Sequence, residues 1–341
     1  MDRGDSGAGV GNGPASTIYD TAAWRAVVCD SYGFVDRSVK VDGAELPLFL
    51  TRSPLLGRKL SSAVFNSYAS PSCGDERRCG ELVAAGLKVA AEERVDWLEI
   101  KAVRPLPAAA ARGLERRESY LRTCVELGSR QQVEANLDGK FRRQLRALRR
   151  QWQGAGVRLE PSTDADDVRA FHDLWVRQSR DRHAMVAQPW SFVRRLWHEL
   201  GPAGAVELWV VRDREDRVVA GCLFGIAGDV ATGMFSATAP ELRRLSVDTL
   251  MKVDVMLSYA ERGLRWLDLG VSSPRQSGLQ LSKARFGGRT EPLPYYVKAI
   301  RAAAVPHVDY SDAYPWLRAP FRWLPTPAAK LVGEAVVRFL N

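Results

Sequence analysis

The chain of 341 residues is poor in the residues that build metal or disulfide frameworks. Its five cysteines, at positions 29, 73, 79, 124 and 222, are odd in number and form no CxxC pair. The Cys73/Cys79 spacing fits no common zinc pattern, and the four histidines, at 172, 183, 198 and 307, are scattered. These absences describe a metal-free protein with reduced thiols. No apolar run reaches the ~18 residues that a transmembrane helix needs. The first sixteen residues are Gly-rich and have no apolar core segment, so they read as a flexible tail and not as a secretory signal. A P-loop, a GxGxxG after a strand, HExxH and GxSxG are all missing, which leaves P-loop nucleotide, NAD, zincin and serine-hydrolase chemistry without support. A cytoplasmic protein is the plain expectation.

What is present is an ordinary globular composition, 46% apolar and 26% charged, at a length that suggests two domains. Lys and Arg outnumber Asp and Glu by 49 to 40, a net charge of +9 that favours an anionic partner without identifying one.

The first half reads as a helix over 18–28, a hairpin turn at 40–45, a strand at 46–50, a helix over 79–93 and a strand at 97–100. The second half repeats this order: strands at 206–211, 218–226 and 230–237, a helix over 246–262, and a strand at 266–269. Trp-Leu-Glu-Ile at 97–100 and Trp-Leu-Asp-Leu at 266–269 match at an offset of 169 residues, together with the helix ends before them. A duplicated α/β unit is the simplest account. Between the copies, 120–127 reads as a strand closing the first unit, and 130–152 as one long helix with Phe141, Leu145, Leu148 and Trp152 on one face. After residue 300 the chain is rich in Pro and Trp, and it closes with a short apolar-striped helix.

Three features carry chemistry. The loop at 270–278 leaves the end of a strand, where α/β sheets bind ligands. With its continuation it offers the hydroxyls of Ser272 and Ser273, glycine amides, and the cations Arg275 and Lys283, a donor set suited to a phosphate or a developing oxyanion. Asp268 and Glu99 end equivalent strands, each as a base or as a carboxylate that caps a backbone turn. The helix at 140–150 holds six cations in eleven residues, with Arg142, Arg143 and Arg146 as candidate polyanion contacts. The closing segment, with Trp316, Phe321 and Trp323, either packs on the body or touches the inner face of a membrane.

The strand at 120–127, the basic helix at 141–150, Phe-His-Asp-Leu-Trp at 171–175, the strand at 266–270 and Lys-Ala-Arg-Phe-Gly at 283–287 together resemble the FemAB-like transferases, which are tandem-GNAT proteins. Trp24, the stretch 55–62 and Phe-Asn-Ser-Tyr at 65–68 resemble their first unit. The resemblance spans about residues 20–340 and is strongest over 205–300. It implies an α/β fold of two tandem GNAT-like units with mixed central sheets. It also places Lys283 near donor or acceptor phosphates, and it draws Asp268, Ser272, Phe286 and Tyr68 into the site. Val271 stands where the family has an arginine, with Arg275 as its stand-in. Residues 241–247 lack the glycines of an acyl-CoA pyrophosphate loop, so the donor is either acyl-CoA or aminoacyl-tRNA.

The expected organisation is a tail at 1–16, a first unit with the basic helix at 17–152, a second unit with the site at 153–300, and a closing segment at 301–341. The expected function is transfer of an acyl or aminoacyl group to an amine or hydroxyl of a cell-envelope or exopolysaccharide precursor. Lys283 and Asp268 would be its catalytic residues. The alternatives are a non-catalytic binder of a glycan or polyanion, and RNA binding through the 140–150 helix.

Overall fold

The computed structural model describes residues 13–54, 57–66, 68–183, 185–306 and 323–339. Leu55, Leu56 and Ser67 of the first-unit resemblance, and Trp316 and Phe321 of the closing segment, lie outside the described residues. So do residues 1–12 of the expected tail; residues 13–16 instead lie against the body, where Gly13 and Pro14 carbonyls accept from Arg104 and Arg122 at 3.0 and 2.8 Å.

Thr17 and Asp20 close a capping box around a short 3-10 turn at Ile18–Asp20. Thr21 then caps α1 (Ala22–Tyr32), which stops at Gly33 in the left-handed region. The first half continues as β1 (Val35–Asp36), β2 (Val39–Val41), β3 (Ala44–Leu46), β4 (Phe49–Ser53), β5 (Gly57–Ser61), α2 (Glu76–Glu92) and β6 (Trp97–Lys101). The expected strand at 46–50 is two strand ends, because Pro47 and Leu48 separate β3 from β4. β7 (Glu115–Glu126) follows.

The helix expected over 130–152 is two helices, α3 (Arg130–Asn136) and α4 (Gly139–Ala155). Leu137 adopts an extended conformation, and the Asp138 carboxylate accepts from the Lys140 and Phe141 amides, starting a new helix where the old one stops. α4 buries Phe141, Leu145, Leu148 and Trp152 and leaves Arg142, Arg143 and Arg146 exposed. The second half runs β8 (Arg158–Ser162), α5 (Ala165–Gln178), α6 (Trp190–Leu200), β9 (Val206–Arg212), β10 (Val218–Ala227), β11 (Val230–Thr238), α7 (Val247–Glu261), β12 (Trp266–Ser272), α8 (Ser277–Ala284), β13 (Arg289–Ala299) and α9 (Thr326–Val336).

The duplication is visible in pairing. β5 lies parallel to β6 and β11 parallel to β12, each pair connected through one helix, and each preceded by an antiparallel partner, β4 or β10. The two halves share one mixed sheet of eleven strands in the order β1-β4-β5-β6-β13-β7-β12-β11-β10-β9-β8, with β2 and β3 forming a separate hairpin. β7, expected to close the first unit, pairs instead with β12 and β13; β13, from the second half, lies against β6. This exchange fuses the halves, and a large apolar cluster runs from Trp24 and Phe49 to Phe192, Phe224 and Tyr259. Among the described residues no helix is long and apolar enough to cross a membrane.

Cys73 and Cys79 depart from the expectation of reduced thiols: they are joined by a disulfide, with Cα atoms 5.2 Å apart. The first turn of α2, capped by Asp75, brings Cys79 beneath the loop that carries Cys73.

Packing and charge on α4 separate cleanly by substitution. Leu145→Ala should cost about 2–4 kcal/mol, whereas Arg142→Ala or Arg146→Ala should stay within about 0.5 kcal/mol, as checked by urea unfolding.

Candidate functional site

The site grows from the way β11 and β12 part. They pair at Val230↔Trp266, Ala231↔Leu267 and Thr232↔Asp268, and the parallel ladder ends there. β11 then continues on β10 while β12 continues on β7, which opens a wedge at the carboxyl ends of the two parallel strands. Residues 233–236 on one side and 269–271 on the other are half-buried. At the wedge the hydroxyls Thr232 Oγ1 and Ser272 Oγ are buried with no hydrogen-bond partner among the described residues. Such groups are uncommon in folded proteins and mark places where a ligand or water completes the bonding.

The first unit has the same strand pair but no open wedge. Beyond Ser61↔Glu99 the Ser62 amide donates to the Glu99 carbonyl at 2.9 Å. The Lys101 amide donates to Ser62 Oγ at 2.8 Å, and the Ala69 amide to the Lys101 carbonyl at 3.0 Å. The chain itself fills the gap.

Asp268 is fully buried at the apex of the open wedge. One carboxylate oxygen accepts from Arg122 Nε at 2.8 Å and lies 2.6 Å from Arg122 Nη2. Tyr68 donates its hydroxyl to the same oxygen, and the Gly270 amide donates to the other at 2.7 Å. The Arg122 guanidinium lies 4.6 Å from the centre of the Tyr68 ring, a cation–π contact. Burial, then the Asp268 charge, pushes the Tyr68 hydroxyl well above the ordinary tyrosine value, so it stays a proton donor. Burial works against the Arg122 charge, but Asp268, Tyr68 and Cys124 together outweigh it and hold the guanidinium ionised.

These contacts bear on the sequence expectations. Asp268 is held by strand, loop and first-half groups, so its carboxylate orients neighbours; a base in contact with substrate would need an exposed oxygen. Tyr68 is buried and spends its hydroxyl on Asp268. Phe286 is buried edge-on against Phe141, at 5.6 Å between ring centres, and belongs to packing under α4. Arg122 was not expected; β7 carries charged residues along its length, so nothing in the sequence set this arginine apart.

Lys283 lies on α8 and is 8% exposed. Its ammonium donates to the Gly270 and Val271 carbonyls at 2.9 and 2.8 Å, across the end of β12. Burial lowers its pKa to about 8, against the pull of Asp268. Ser273 accepts from the Arg275 amide through its hydroxyl at 3.3 Å, and Gln280 binds the Ser273 and Pro274 carbonyls, which shapes the turn. Arg275 is exposed on that turn. The glycine-free segment ahead of α7 is a 3-10 turn at Pro240–Leu245, followed by Ser246 in the left-handed region, with Arg243 and Arg244 exposed.

Glu99, the equivalent of Asp268, sits in a different setting. One of its oxygens accepts from Ser61 Oγ at 3.0 Å and lies 3.6 and 3.5 Å from the Lys59 and Lys101 ammoniums. Burial would raise its pKa, but the two ammoniums and the hydroxyl outweigh it and hold the carboxyl below the usual range. Among the described residues no group of His, Cys, Asp and Glu is arranged to hold a metal ion.

With this geometry in view, the comparisons are consistent. Residues 139–275 match the family described as acetyltransferase (GNAT) domain, and the match starts at the first residue of α4. The fold is similar to that of FemX (TM-score 0.66, 14% identity, 85% of this chain and 94% of that one). It is also similar to that of the C-terminal domain of a candidate lysylphosphatidylglycerol synthetase from Agrobacterium fabrum (TM-score 0.57, 16% identity, 81% and 87%). A third such structure is L-PGS from Bacillus licheniformis (TM-score 0.54, 10% identity, 94% and 99%). No curated protein matches in sequence. Residues 139–275 therefore carry an acetyltransferase (GNAT) domain, set within a fold shared with FemX.

The position of Lys283 predicts its titration. Its acylation by a small anhydride, followed by mass spectrometry, should reach half-maximum near pH 8, whereas ordinary lysines titrate near 10.4. The folded value lies below the unfolded one, so stability should rise with pH from about 8 towards 10.5. Lys283→Met should abolish that rise. A midpoint above 10 would contradict the site geometry.

Proposed function

We propose that the protein transfers an acyl or aminoacyl group to an amine, or to a hydroxyl, of a cell-envelope or exopolysaccharide precursor. One observation carries this reading: the open β11–β12 wedge ends on a buried lysine and two buried hydroxyls with no partner among the described residues, while the equivalent first-unit gap is filled.

In the transfer, the acceptor nitrogen attacks the acyl carbonyl carbon and a C–N bond forms. The bond to the donor's sulfur or ester oxygen breaks, and the proton lost by the amine goes to that leaving atom. Two of the three Lys283 N–H donors are committed to carbonyls. The third is available to a developing oxyanion or to a donor phosphate, and a buried cation there acts with little screening. Ser272 and Thr232 supply hydroxyls that fix the acyl carbonyl or the attacking group. Asp268 positions the loop. Arg275, with its charge exposed near the mouth, and Ser273, which shapes the turn, serve substrate binding.

The donor reading divides on two features. Bulky residues in the turn ahead of α7 disfavour close approach of a pyrophosphate to the backbone. The exposed Arg142, Arg143 and Arg146 on α4 favour a polyanion, so aminoacyl-tRNA fits better than acyl-CoA. The same turn supports the second reading, a binder that has lost transfer activity. Placement in the cytoplasm, at the inner face of the membrane, follows from the proposed donor and acceptor.

Three experiments test this. Thermal unfolding with acetyl-CoA or with charged tRNA at 100 times its dissociation constant should show a gain of about 2.7 kcal/mol for the true donor. Lys283→Ala should then lower turnover about 10²- to 10³-fold; unchanged turnover in the folded variant removes Lys283 from the mechanism. Changing Arg142, Arg143 and Arg146 together to Ala should reduce the slope of log affinity for tRNA against log salt by about 2–3. Binding that ignores both salt and these substitutions ends the tRNA reading.

A further inference from the structure

The buried group at the apex of the wedge links two parts of the chain that sequence order keeps apart. Tyr68 comes from the segment that fills the first-unit gap, and Arg122 from β7. Both act on one oxygen of Asp268. The other oxygen holds the Gly270 amide at 2.7 Å. Gly270 sits at φ +72°, a backbone conformation open to glycine at little cost. That peptide geometry presents the Gly270 and Val271 carbonyls to Lys283 at 2.9 and 2.8 Å. An unbroken series of polar contacts therefore runs from the first half of the chain to the lysine of the second-unit site.

We propose that Arg122 and Tyr68 are positioning residues for that site: they fix the Asp268 carboxylate so that it orients the Gly270 peptide and thereby places Lys283. The first unit then completes the second unit's site and is more than a scaffold for it. The assignment of a catalytic part to Lys283 rests on the transfer reading above; the placement of Lys283 does not.

The physical reason lies in how the charges are shared. Burial, and then the Lys252 ammonium on α7, oppose the Lys283 ammonium, while Asp268 and, more weakly, the Cys124 thiol on β7 favour it. Arg122 and Tyr68 draw the carboxylate's charge towards one oxygen and so limit its pull on Lys283. Removing either donor leaves more of that charge for the lysine, and it also frees the carboxylate to turn away from the Gly270 amide.

The test reads Lys283 directly, by the pH dependence of its acylation with acetic anhydride, followed by mass spectrometry of the full-length protein's peptides. Tyr68→Phe removes one hydroxyl and keeps the ring under Arg122; Arg122→Lys keeps a charge and loses the two-nitrogen grip on one oxygen. Each should move the Lys283 midpoint by about half a pH unit or more, which is about threefold in reactivity at fixed pH. Leu145→Ala serves as the comparison: it loosens packing without touching the polar series, and its midpoint should remain at the wild-type value. Midpoints unchanged in folded Tyr68→Phe and Arg122→Lys, or moved equally by Leu145→Ala, would overturn the proposal. With the donor identified, the loss in Tyr68→Phe should fall on kcat more than on KM. A shifted midpoint without any transfer activity would keep the positioning role and remove the transfer reading instead.

Discussion

The buried pair of Asp268 and Arg122 is the contact on which the rest of the structure turns. Both side chains are almost wholly withdrawn from water, and removing one partner of such a pair typically costs about 3–5 kcal/mol, because the other is left as an unmatched charge. Their contact requires β7 to lie beside β12, which in turn requires β13 to sit between β7 and β6. Tyr68 reaches the same carboxylate from the first-unit segment, and the Pro14 carbonyl takes another Arg122 nitrogen. Four stretches of chain, near residues 14, 68, 122 and 268, are thereby tied to one point.

The two units show how one strand arrangement is used in two ways. A parallel pair that parts after three residues leaves backbone groups in need of partners. In the first unit Ser62 and Ala69 supply them, and Glu99 between two lysines seals the interior. In the second unit the gap remains, edged by half-buried residues and by hydroxyls with no partner among the described residues. Lys283 closes its far end by bonding to two carbonyls of the departing strand. Of the two equivalent gaps, the first is filled by the chain and the second is open.

Burial sets the chemistry of that gap. Lys283 is withdrawn from water far enough to lower its pKa into the range where a modest change in surroundings alters its charge. Asp268 works in the opposite direction, and its own charge is shared among Arg122, Tyr68 and Gly270. The exposed arginines on α4 lie on a helix whose opposite face packs Phe141 against Phe286, just beyond α8, so the basic surface and the lysine belong to one neighbourhood.

The sequence by itself determined the elements and the repeat. Apolar spacing and β-rich runs located β6, β9, β10, β11 and α7 within a residue or two and the start of β12, whose end lies three residues further on, and the 169-residue offset marked Glu99 and Asp268 as equivalents. It also brought Lys283 and Ser272 forward, through their place after a strand end. Local signals failed where single residues acted against the pattern: Asp138 restarted a helix that periodicity had drawn as continuous, and Pro47 divided a strand. Tertiary structure alone decided the exchange of β7 and β13, the filling of the first wedge, the joining of Cys73 and Cys79, and the burial of Tyr68 and Phe286. The physical reason is the range of the forces. Helix periodicity and strand alternation are written within a few residues, whereas the pairing of Arg122 with Asp268 joins groups 146 residues apart and exists only once the sheet is assembled.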